Sequence, residues 1–238
     1  MNAILKQKIE TGISNFTFNS NFCLEAIPEE EKTELQLRSK LIKLPKKSIL
    51  YSEGEPPKGI YILVKGKVKM SQLNPDGSVQ ILFIYGVGEV FGHRSILGGD
   101  NQPASITALE ECELMFIEKE HFLNVVHNSS KMSKLLMQSM SHEFTVLVNR
   151  INIFAQRGIK ERLALFLLLL NETYRIPGQL NEDAEITVNR NDLASYTGTS
   201  VENLVRTLKV FKEQNYVRTN GKSIFIENFE ALYTLAGI

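Results

Sequence analysis

Between about Leu41 and Ile117, apolar residues alternate with polar ones in short runs broken by turn signals. Ile60–Val64 stops at Lys65-Gly66, Lys67–Met70 at Asn74-Pro75-Asp76-Gly77, and Val79–Ile84 at Gly86 and Gly88. Ala104–Ala108 and Cys112–Ile117 repeat the pattern. A period of two residues belongs to a half-buried strand, and many short strands at this spacing predict an antiparallel barrel or jelly roll. Ahead of it the chain is only weakly helical. Pro28 followed by Glu29–Glu31 marks a helix start, because proline is tolerated in the first turn and the helix dipole favours acids there.

The period then changes. A short helix is predicted around Lys119–Val126, and Asn128-Ser129-Ser130 opens a long one. Along it Met132, Leu136, Met140, Phe144, Leu147, Ile151 and Phe154 recur at steps of four or three, while Arg150 and Gln156 keep other faces polar. An apolar seam this long and narrow predicts a homodimer interface. Gly158 reads as a helix stop or hinge. The apolar run Leu163–Leu170 inside the following helix is far too short for a bilayer and predicts a buried helix. The organisation expected is α+β: helices and a sensor barrel over residues 1–127, a dimerisation helix over 128–157 and a second domain over 158–238.

That second domain holds the most informative stretch. Asp192–Lys209 reads as two short helices broken at Gly198, where a positive φ is expected. Thr199 or Ser200 offers an N-cap hydroxyl, and Leu204 and Leu208 form the buried stripe. Ser200, Val201, Glu202, Val205, Arg206 and Lys209 are left on or beside the outer face. A carboxylate and a guanidinium one turn apart suit base edges, Arg206 pairing with guanine and Glu202 accepting from cytosine. The same spacing also makes an ordinary surface ion pair. The residues beyond this helix favour DNA: Tyr216-Val217 enters a strand, Asn220-Gly221 signals a type I′ hairpin, and Ser223–Ile226 returns. The whole is a winged helix-turn-helix with Lys222 at the wing tip, placed for a phosphate.

Charge sharpens this reading. Formal net charge is zero over 238 residues, which marks no nucleic-acid binder by itself. Locally, Arg206, Lys209, Lys212, Arg218 and Lys222 are opposed only by Glu213, whereas acids gather at Glu29–Glu31 and Glu182–Glu185. Positive charge is concentrated where phosphates would lie. Cys23 and Cys112 lack metal-knuckle spacing and read as small buried residues, His121 and His127 form no metal pattern, and His142 on the long helix reads as a surface residue or one near the barrel's pocket. No nucleophile–base cluster, Walker-type loop or dinucleotide fingerprint appears, so neither an enzyme nor a cofactor is expected. Without an apolar leader or a spanning segment, a cytoplasmic protein with no membrane partner is expected.

Barrel, long helix and winged helix-turn-helix in this order resemble the CRP/FNR family of bacterial transcription regulators, over nearly the whole chain after about residue 25. Gly86-Val87-Gly88-Glu89-Val90-Phe91-Gly92 looks like the entry to the family's ligand cassette, and Val201-Glu202-Asn203-Leu204-Val205-Arg206 like its DNA-reading helix. The resemblance implies that Glu202 and Arg206 read bases with Val201, Asn203 and Lys209 nearby, and that Ser200 holds a phosphate. It further implies a homodimer on an inverted repeat with TGA-like half-sites, and RNA polymerase as a further partner.

The sensor half departs from the pattern. Cyclic-nucleotide-binding members carry Glu after the Phe-Gly pair, where this chain has His93; their phosphate-binding Arg is missing from Gln102-Pro103-Ala104; and their adenine contacts fall on Leu147 and Val148. The resemblance therefore argues against cAMP. Two cysteines cannot supply the four thiolates of an iron–sulfur centre. Gly92, His93, Arg94 and Ser95 remain as a candidate site for a small anionic effector near a helix start. Haem at His93 is a further reading, as is no ligand at all, with His93 and Arg94 bonding to neighbouring loops. The alternative to a DNA reader is a small-molecule or haem sensor acting through a protein partner.

Overall fold

The structure, a computed structural model, describes residues 11–18, 26–175 and 184–238. Cys23 and Glu182 lie outside the described residues. The chain forms two units, one from Phe18 to Phe144 and a discontinuous one combining residues 11–17 with Thr145–Ile238. This differs from the expected division: the long helix is no unit of its own, and the segment ahead of Phe18 belongs with the C-terminal part.

In the first unit, helix α1 (Glu29–Leu37) begins after Pro28, with Glu29, Glu30 and Glu31 in its first turn. Strands β1 (Lys40–Leu44), β2 (Ile49–Tyr51), β3 (Gly59–Lys65), β4 (Val68–Leu73), β5 (Val79–Tyr85), β6 (Val90–Phe91), β7 (Ser105–Ala108) and β8 (Cys112–Glu118) come next. They make two four-stranded antiparallel sheets, ordered β1-β8-β3-β6 and β2-β7-β4-β5. Leu63, Ile81, Ile106 and Leu114 are shut off from water between them. Strands β1, β2 and β6 escaped the pattern because β1 and β2 bury little and β6 has two residues. A short helix, α2 (His93–Gly98), lies between β6 and β7, and α3 (Lys119–Asn128) packs Phe122, Val125 and Val126 inward. Cys112 is buried, as a small apolar residue would be.

Helix α4 (Ser130–Gln156) carries two stripes. Met132, Leu136, Ser139, Glu143, Val146, Arg150 and Ile153 are all buried. Met137, Met140, Phe144, Leu147, Ile151 and Phe154 stay exposed, from 37 % at Phe154 to 68 % at Phe144 and Ile151. Met132 and Leu136 are therefore misplaced in the expected dimer seam: at 1 % and 6 % exposure they complete their own unit's core beside Ile60, Ile117 and Phe122. Arg150, expected on a polar outer face, is buried too.

In the second unit, α5 (Ile159–Tyr174) buries every residue of Leu163–Leu170, as an all-round apolar run requires. Helices α6 (Arg190–Thr197) and α7 (Val201–Glu213), hairpin β9 (Val217–Asn220) with β10 (Ser223–Ile226), and α8 (Phe229–Ala236) complete it. A bridge between Ile186 and Ile224 adds a further rung to the hairpin. Arg150 ties the parts of this unit together. Its guanidinium donates to the Phe16 carbonyl at 3.3 Å and to the Tyr196 hydroxyl at 2.9 Å, with its carbon 5.6 Å from the Phe166 ring centre. Asn149 donates to the Asn15 carbonyl at 3.0 Å, so residues 11–17 are strapped onto α4. Arg150→Met leaves the Phe16 carbonyl and the Tyr196 hydroxyl without this donor. It is expected to destabilise the unit by about 1–3 kcal/mol, read as a lower urea midpoint by circular dichroism. An unchanged midpoint would show that the clasp contributes nothing.

Candidate functional site

The outer face of α7 is built by its caps and its buried stripe. Gly198 ends α6 in the left-handed region at φ 68°, Ser200 caps α7 by accepting from the Asn203 amide at 3.2 Å, and Leu204, Thr207, Leu208 and Phe211 face inward. Ser200, Val201, Glu202, Val205, Arg206 and Lys209 are exposed, and Asn203 is half-buried. Among the described residues no side-chain hydrogen bond or ion pair engages Glu202 or Arg206, so the surface-pair alternative is not realised. Lys209 stands 3.9 Å from Glu213, a loose exposed contact of little energetic weight.

The wing differs in detail from the expectation. Asn220 pairs with Ser223, so the two turn residues are Gly221 and Lys222 rather than Asn220 and Gly221. Gly221 takes φ 56° and Lys222 does not have a positive φ, which is the pattern of a type II′ turn and not type I′. Lys222 is still exposed at the tip, and its carbonyl accepts from Arg190 at 3.3 Å. Arg218 is drawn back onto the wing, 3.7 Å above the Phe225 ring and 3.6 Å from Glu227.

In the other unit, Gly92 caps α2 at φ 92°, where a Cβ would meet the Gly59 carbonyl at 2.7 Å. The anion expected opposite His93 and Arg94 is present within the chain: it is Glu143 of α4, 4 % exposed. Arg94 Nε donates to Glu143 Oε2 at 2.6 Å, and the guanidinium lies 4.4 Å from the Phe18 ring centre and 3.4 Å from the Tyr85 hydroxyl. His93 Nε2 is 3.4 Å from Glu143 Oε1, without hydrogen-bond alignment. Ser95, also buried, donates to Gln102 at 3.0 Å. His93, Arg94 and Ser95 thus each have a partner inside their own unit, while His93 Nδ1 and Arg94 Nη2 are buried with no hydrogen-bond partner among the described residues. Glu143 was missed because a carboxylate on a long helix reads as surface. Among the described residues no group of three or more His, Cys, Asp or Glu could hold a metal. His121 instead meets the Glu34 carbonyl at 2.9 Å.

Burial pushes the Glu143 carboxyl up, but His93 and Arg94 outweigh it and hold it below the usual carboxylate range. Burial pushes His93 down, and Arg94 adds to this against the opposing pull of Glu143, leaving a neutral imidazole. Arg94 loses from burial and gains more from Tyr85 and Glu143, so it stays charged.

A two-sheet N-terminal unit and a winged helix-turn-helix define the class of a DNA-binding transcription regulator. Residues 41–129 match the cyclic nucleotide-binding domain family and residues 161–235 the Crp-like helix-turn-helix domain family. The fumarate and nitrate reduction regulatory protein of Escherichia coli K12 is 27 % identical over 194 residues, covering 82 % of this chain and 77 % of that one. Its Vibrio cholerae counterpart is 28 % identical over 189 residues, covering 79 % and 75 %. In fold, the structure of FixK2 from Bradyrhizobium japonicum aligns with a TM-score of 0.73 at 22 % identity, covering 83 % of this chain and 96 % of that one. The chain belongs to the CRP/FNR family of transcription regulators.

The buried triad gives the first unit a pH dependence of known sign. A folded-state imidazole held below its ordinary 6.5 means the unfolded chain binds more protons, so stability falls as pH drops through 6.5. Glu143, likewise held low, extends the loss through 4.5. The urea midpoint is expected to decline on acidification from about pH 8 to pH 5, and His93→Gln to flatten that decline. A wild-type midpoint that ignores pH over this range would rule the coupling out.

Proposed function

We propose that this regulator is a cytoplasmic homodimer that reads an inverted repeat with TGA-like half-sites and works with RNA polymerase as a further partner. The observation that carries the reading is the pair Glu202 and Arg206, exposed one turn apart on α7 and engaged by no other described residue. Arg206 pairs with guanine, Glu202 accepts from cytosine, and Val201 and Asn203 border them. Ser200, Lys209 and Lys222 take phosphates. The exposed stripe Met137, Met140, Phe144, Leu147, Ile151 and Phe154 supports the dimer, since alternating steps of three and four are those of a coiled-coil seam. Two-fold symmetry then sets the half-sites about one helical turn apart.

In this reading the effector is not cAMP, and no external anion is needed at Arg94. Glu143 supplies the negative charge there and ties α2 to α4 without a ligand. In this reading the ligand-free protein binds DNA. No helix among the described residues is long and apolar enough to cross a membrane, and no membrane partner is assigned.

Selection from a random duplex library by the ligand-free protein is expected to recover an inverted repeat. Binding to it should weaken steeply with salt, because several phosphates are neutralised. Weak binding without sequence preference would sink the proposal. On the recovered duplex, Arg206→Ala is expected to lose about 1–3 kcal/mol of discrimination at one base pair, whereas Lys222→Ala should weaken all sequences alike. An Arg206→Ala protein with unchanged preference would remove that residue from the reading set. Ile151→Asp places a charge in the seam and is expected to sediment as a monomer with inverted-repeat affinity lost; a dimer of normal affinity would place the interface elsewhere.

A further inference from the structure

Helix α7 exposes two side chains that its polar face does not explain. Val201 is 39 % and Val205 50 % exposed, and neither belongs to the inward stripe of Leu204, Thr207, Leu208 and Phe211. Val205 comes one residue before Arg206, three after Glu202 and four after Val201, so it stands among the side chains assigned to base edges. Valine can neither donate nor accept a hydrogen bond. Against adenine, guanine or cytosine in a major groove it would strip water from a donor or acceptor and leave it unpaired. The one apolar group on that edge is the C5 methyl of thymine.

We propose that Val205 is a specificity-determining residue that packs on a thymine methyl, within about two base-pair steps of the guanine read by Arg206. The inference rests on the assignment of α7 as the reading helix. Spacing fits it: side chains four residues apart on a helix have Cβ atoms about 5–6 Å apart, while bases rise about 3.4 Å per step. Val201 and Val205 therefore lie over bases that are adjacent or one removed. Discrimination comes from both directions, a methyl buried at thymine and an unpaired polar edge at any other base. Val205 borders the exposed cations Arg206 and Lys209, which favours a nucleic-acid occupant over an apolar protein surface.

The test uses the full-length protein and the duplex recovered by selection. Each thymine is replaced singly by deoxyuridine, which deletes the methyl and keeps Watson–Crick pairing. One thymine per half-site is expected to lose about four-fold in affinity on replacement, the value of one buried methyl group. Val205→Ala should abolish that penalty and leave the others unchanged. Alanine is a good helix former at this half-exposed position, so the variant keeps its fold. The proposal is overturned if no replacement matters to the wild type, or if Val205→Ala feels every replacement as the wild type does. Those results fault the methyl contact alone. Failure to select any preferred duplex would instead fault the reading-helix assignment and this inference together.

Discussion

A carboxylate at 4 % exposure in an apolar interior has to be neutralised by its neighbours, and in the two-sheet unit that requirement falls on Glu143. Its position midway along α4 obliges Arg94 and His93 to face it, and hence fixes α2 against the long helix. Phe18, Phe83 and Tyr85 close over the same place, with the Phe18 and Phe83 ring centres 3.8 Å apart. Removing either charged partner would strand the other in low dielectric, a far larger cost than the pair's net worth. The arrangement thus specifies one geometry more than it adds stability.

The same residue explains what the sequence concealed. Apolar periodicity revealed the long helix, its exposed apolar stripe from Met140 to Phe154 and the strands β3, β4, β5, β7 and β8. It misjudged the inward face of α4 because that face carries Ser139, Glu143 and Arg150 among its apolar residues. Three polar residues among these seven inward positions look like solvent-facing ones when only hydropathy is counted. Met132 and Leu136 were then joined to the exposed stripe, although their steps of four match the inward one equally well. Partners such as Arg94 for Glu143 and Phe16 for Arg150 are 49 and 134 residues away, beyond any local signal.

The helix-turn-helix was more legible because its determinants are local. A cap at Ser200, a left-handed Gly198 and an inward leucine stripe lie within a few residues of one another, and each acts through the backbone nearby. The hairpin shows where that legibility ends. Asn-Gly favours one turn, but the register is set by pairing along the strands and by the Ile186–Ile224 bridge, which shift the turn by one residue. Lys222 keeps its place at the tip under either turn.

Net charge is the quantity most easily misread in this chain. A total of zero conceals a helix and wing tip with Arg206, Lys209, Lys212 and Lys222 exposed, while Arg94 is turned toward a carboxylate and Arg150 is buried against a carbonyl and a hydroxyl. Cations buried against carbonyls, hydroxyls and a carboxylate organise the units and contribute little field outside them. Exposed ones separated by less than a Debye length of about 8 Å add their fields at physiological salt. Long-range attraction to a phosphate backbone therefore depends on how the charges are sorted between interior and surface. Here the fold performs that sorting, and an uncharged total is compatible with a DNA-binding face.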